Sequence, residues 1–132
     1  MRFEFNDRGV CQNPERKVDL HDGKNYLIVK VAQLPDGSWA EGLDMRVGTL
    51  GYLYSPSMGR ERYDSDRSAS YAVLLNVKET LEREIQFLEK HTELDDNLEP
   101  VDNSKAMQGF RRMLKVVLEK LEYYDPVQMT LF

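Results

Sequence analysis

Apolar and polar positions alternate along the first half of this 132-residue chain and recur at intervals of three and four along the second. From Tyr26 to Leu34 the run is rich in β-branched and apolar residues. Leu27, Val29 and Val31 fall on one face, and Ile28, Lys30 and Ala32 on the other, as a strand requires. Pro35-Asp36-Gly37-Ser38 follows as a tight turn, with proline presetting φ and glycine free to take a positive value. Trp39 to Met45 returns as the second arm of a hairpin, placing Trp39, Glu41, Leu43 and Met45 on one side. Gly42 in this arm marks an expected bulge. Phe3 and Phe5 alternate with Arg2 and Glu4, so a short strand is expected at the N-terminus. A polar loop then runs from Asn6 to Asp22, with one short strand near Lys17 to Leu20. Between 46 and 67, Gly48, Gly51, Pro56 and Gly59 break up any long element, and only Leu50 to Tyr54 reads as a strand. The remainder reads as a loop, and one this long is uncommon unless it is functional or mobile.

The period changes after residue 66. Leu74, Val77, Leu81, Ile85 and Leu88 recur at three and four, predicting a helix over about 68–91 with Asp66 or Ser68 as its cap. An acidic linker with Pro100 separates it from a second helix over about 104–124. That helix has Asn103 or Ser104 as cap and a stripe of Met107, Phe110, Leu114, Val117, Leu121 and Tyr124. Gly109 costs this helix about 1 kcal/mol relative to alanine, a sacrifice that close packing would explain. Pro126 stops the helix and pushes the preceding residue toward extended geometry.

Strands followed by helices, each half apolar, predict an α+β fold. A small antiparallel sheet, with its hairpin near 26–45, packs one face against the two C-terminal helices. Residues 1–125 form a single domain in this reading, and 126–132 form a peptide tail.

Composition narrows the class. Hydrophobic residues make up 41% and charged residues 31%, as in soluble domains, and no apolar run is long enough to span a bilayer. The first residues lack the apolar stretch of a signal peptide, so a cytoplasmic location is expected. Cys11 is the only cysteine, which excludes an internal disulfide and a cysteine zinc cluster. The net charge of −5 argues against a generic nucleic-acid coat.

Candidate chemistry is sparse. Arg60, Arg62, Tyr63 and Arg67, with Arg46, Tyr52 and Tyr54 nearby, interleave cations and aromatics as single-stranded nucleic-acid sites do. The bland alternative has the tyrosines packing and the arginines pairing with Glu61, Asp64 and Asp66, and it is the preferred one. Arg111, Arg112 and Lys115, with Lys105, form a basic face on the last helix, best read as a solvated face balanced by the acidic first helix. Asp19, His21 and Asp22 lack a second cluster at ligand spacing, and His91 stands alone near a helix end. Asp64, Asp66 and Ser68 imitate the start of a calcium loop, but Ala69 and Leu75 occupy the positions of its glycine and closing glutamate. No nucleophile, base and orienter assemble from spacing. The expectation is a protein that is not an enzyme and carries no cofactor or metal.

The strongest motif is Gln128-Met129-Thr130-Leu131-Phe132. It resembles the peptide by which bacterial and phage proteins dock on the replication sliding clamp, typically Gln-Leu-Ser/Asp-Leu-Phe. Gln128, Leu131 and Phe132 match its principal anchors. Met129 replaces leucine at similar volume, and Thr130 keeps a small polar group. The resemblance covers five residues. It implies a sliding-clamp partner and a role beside the DNA replication or repair machinery, not an activity. The alternative is that Leu131 and Phe132 bury themselves on this domain or in a homodimer.

Overall fold

The computed structural model describes residues 2–90 and 104–125. Four strands and two helices follow in the order β1 (Glu15–Asp22), β2 (Asn25–Gln33), β3 (Trp39–Val47), β4 (Leu50–Tyr54), α1 (Asp66–Lys90) and α2 (Ser104–Tyr124). The strands form one antiparallel meander, each pairing with its neighbour in the chain. This is the expected α+β fold, with its sheet extended by a strand on either side of the predicted hairpin.

Turn chemistry fixes the meander. Gly23, Gly37 and Gly48 all have positive φ at the three reversals, where a side chain would be strained. The hairpin register pairs Leu27 with Met45, Val29 with Leu43 and Val31 with Glu41. Leu27, Val29, Leu43, Met45 and Val47 therefore share one face, and α1 and α2 cover it. From α1, Val73, Leu74, Val77, Leu81 and Ile85 enter this core, and from α2, Phe110, Met113, Val117 and Leu121.

Four local expectations are corrected. The N-terminal alternation yields no strand, because Phe5 makes only an isolated bridge to Cys11 while Phe3 packs edge-on against Trp39 at 6.0 Å. The strand expected near 17–20 extends over all of β1, with an irregular register between Arg16 and Val18. Gly42 is no bulge, since it pairs in register with Lys30. A Cβ there would lie 2.5 Å from Pro56 Cδ and 2.8 Å from both Pro56 N and the Tyr54 carbonyl oxygen, so glycine lets the chain leaving β4 cross over β3. Helix α1 is capped by Ser65, whose Oγ accepts from the Ser68 amide at 3.0 Å. Asp66 and Ser68 lie inside the first turn. Gly109 does serve close packing, as a Cβ would meet Asn25 Nδ2 at 2.9 Å.

α2 is tied to both ends of β1. Arg112 Nε donates to Asp22 Oδ2 at 2.8 Å, and the Tyr124 hydroxyl donates to the Lys17 carbonyl at 3.1 Å. The helices leave β4 largely uncovered. On that side, β3, β4 and α1 bound a groove of about 410 Å³.

Candidate functional site

The groove has an apolar floor and a polar rim. Leu43, Met45 and Val77 form the floor, Tyr52 and Tyr54 one wall, and Arg60 and Arg83 stand on its rim. The cluster beside it is built on Glu41, a carboxylate in the otherwise apolar stripe of β3 and only 6% exposed. The Tyr54 hydroxyl donates to Glu41 Oε2 at 2.6 Å. Arg60 lies 4.0 Å above the Tyr54 ring and 3.8 Å from Glu41 Oε1, so a cation faces both the ring and the acid. Burial pushes the Glu41 carboxyl above its ordinary value, against the pull of the Tyr54 hydrogen bond and the Arg60 charge. Burial also raises both tyrosines, with Glu41 adding to the effect. Tyr63 is pushed up to about 12, and Tyr54 is likewise raised.

The four residues that the nucleic-acid alternative groups together are dispersed by the fold. Arg60 joins the groove. Arg62 pairs with Asp36 in the β2–β3 turn and donates to the Met58 carbonyl at 3.3 Å. Tyr63 is held by backbone pairing with Trp39, both bonds being 2.8 Å. Arg67 stacks on Tyr123 and Tyr124 at 4.8 and 5.4 Å from the ring centres. The loop between β4 and α1 is thus fastened at several points. Its isolated bridges tie Val10 to Ser57 and Trp39 to Tyr63.

Two groove features escape linear reading. Glu41 sits in the apolar stripe Trp39-Glu41-Leu43-Met45, and that position was the available signal of a buried acid. Arg83 comes from mid-α1, far in sequence from the tyrosines that line the same groove, and nothing in the local pattern announces that they share it.

Arg111 pairs with Glu89 at 2.9 Å, joining the basic face of α2 to acidic α1. His21 Nε2 lies 2.6 Å from Asp19 Oδ1, and no group of three metal-binding side chains occurs among the described residues. Cys11 is buried, and burial raises its thiol pKa, keeping it in the unreactive form. Among the described residues no helix is long and apolar enough to cross a membrane. Gln128, Met129, Leu131 and Phe132, like His91 and Asn103, lie outside the described residues. The chain matches no family profile, no curated protein and no solved structure.

Proposed function

We propose that this chain is a small, non-enzymatic accessory protein of bacterial, phage or plasmid DNA metabolism. It docks on the replication sliding clamp through Gln128-Met129-Thr130-Leu131-Phe132 and acts in the cytoplasm. The observation that carries the reading is this peptide's place, following Asp125 and Pro126 just after α2 ends at Tyr124. An extended peptide of this composition seats leucine and phenylalanine in apolar pockets while the glutamine amide sets the register. The core of the described domain is supplied by residues 18 to 121, and α2 is anchored to β1 by Tyr124. The domain thus has a root from which such a peptide can be offered.

The test is equilibrium binding of the intact protein to a purified bacterial sliding clamp. Binding in the micromolar range, abolished in Leu131→Ala/Phe132→Ala, supports the assignment. No binding by the intact chain at high micromolar concentration overturns it.

A second reading draws on the groove. Tyr52, 45% exposed, offers a stacking face, and Arg60 and Arg83 offer phosphate partners, to a single strand of nucleic acid. An affinity that falls steeply with salt and is lost in Arg60→Ala/Arg83→Ala would favour it. Equal affinity for that double variant would remove it.

A further inference from the structure

The two edges of the sheet are built differently. β1 carries Glu15, Arg16, Lys17, Asp19, His21 and Asp22, and its register is interrupted between Arg16 and Val18. Charges and irregularities are how an edge strand is kept from pairing with another chain. β4, the opposite edge, is Leu50-Gly51-Tyr52-Leu53-Tyr54, with no charge, no proline and no irregularity in its pairing to β3. Among the described residues, its backbone hydrogen bonds go to β3 alone. Both of its faces expose apolar groups, with Tyr52 45% exposed on the helix side and Leu53 73% exposed on the other.

We propose that β4 is a self-association edge, pairing antiparallel with β4 of a second copy to make one continuous eight-stranded sheet. The sequence of the strand is complementary to itself when the two-fold axis passes through Tyr52. Leu50 then faces the second copy's Tyr54, and Tyr52 faces its own counterpart, an aromatic pair of the kind that stabilises antiparallel ladders. On the other face, Leu53 meets the second copy's Gly51, whose missing side chain leaves room for it. The contact is repeated by symmetry, as an isologous interface demands. No charge opposes itself across this axis. An unrelated peptide would gain the same backbone bonds, but the large-to-small match of Leu53 with Gly51 and the pairing of Tyr52 with itself select a second copy.

The experiment is sedimentation equilibrium of the full chain at concentrations up to ~0.5 mM, where even an interface at the small end of the size range is populated. A concentration-dependent dimer is expected. Tyr52→Lys places like charges on the axis, and Leu53→Lys places a charge on the outer face. Each should weaken association at least about tenfold. Both sites are exposed, and unchanged circular dichroism will show that the variants fold. Register is read separately with a short bis-maleimide. Tyr52→Cys should cross-link into a covalent dimer, whereas Lys24→Cys, in the β1–β2 turn, should not. Buried Cys11 stays silent. A chain monomeric throughout this range overturns the proposal. So does a dimer insensitive to both lysine variants, or one that Tyr52→Cys fails to cross-link.

Discussion

The Tyr54 hydroxyl, at the end of β4, donates a 2.6 Å hydrogen bond to Glu41, a buried carboxylate near the start of β3. Tyr54→Phe removes that donor and leaves the acid less satisfied. The expected loss is about 1–3 kcal/mol, read from urea unfolding at neutral pH. A loss within the error of the measurement would show that Arg60 alone satisfies the acid.

Glu41 also sets a pH dependence whose sign is fixed. Burial raises its folded pKa above the unfolded value, so the folded protein holds the proton more readily. The stability it contributes is full below the ordinary carboxyl range and is lost as pH rises through the raised pKa. Glu41→Gln removes this component. Relative to wild type, the variant should gain stability progressively as pH rises above the ordinary carboxyl range. Parallel pH profiles for the two proteins would contradict it.

Lys17 and Asp66 produce the opposite slope. The Lys17 ammonium is 2.7 Å from Asp66, and its hydrogen bond holds that carboxyl below the usual range. The pair's contribution is present above the ordinary carboxyl pKa and is lost as pH falls through the depressed one. Because both groups are partly exposed, Asp66→Asn should cost only about 0.5–1 kcal/mol at neutral pH. That difference should shrink in thermal melts below the carboxyl range.

Gly42→Ala should destabilise the domain by about 1–3 kcal/mol, because the new methyl meets backbone atoms as well as the Pro56 ring. Chemical denaturation decides it. A neutral result would mean that the 55–57 crossing can shift without cost.

Arg67 reaches from the first turn of α1 to Tyr123 and Tyr124 at the end of α2. Arg67→Ala should cost about 0.5–2 kcal/mol through lost stacking and stem packing. Amide exchange should quicken in residues 122–124 before it does at Val117. Uniform exchange along α2 would show that the stack does not hold the helix end.

The hairpin and both helices were legible in the sequence because their periods of two and near 3.6 run for many residues between clear stop signals. α2 begins and ends where its stripe and Pro126 place it. The outer strands were harder to read. β1 is mostly charged because it is an edge, so its polar residues resemble a loop. The N-terminal Phe3 and Phe5 alternate correctly yet find no ladder, their partners being a tryptophan edge and a single bridge. Arg60, Arg62 and Arg67 are close in the chain, but the turn into α1 sends them in three directions, which spacing alone does not encode. The groove joins β3, β4 and mid-α1, so it exists only after folding. The peptide at 128–132 is a different kind of signal, carrying its pattern in five consecutive residues.

The N-terminal segment is stitched to the crossing that follows β4. The Cys11 amide donates to the Pro56 carbonyl at 2.9 Å, and the Met58 amide donates to the Gly9 carbonyl at 2.9 Å. Each strand of the meander, by contrast, pairs with its chain neighbour, so the sheet assembles through short loop closures. The stitch must wait until Pro56 has settled over Gly42. Residues 2–13 therefore depend on that crossing for these two bonds, whereas the helix-covered core is built without them.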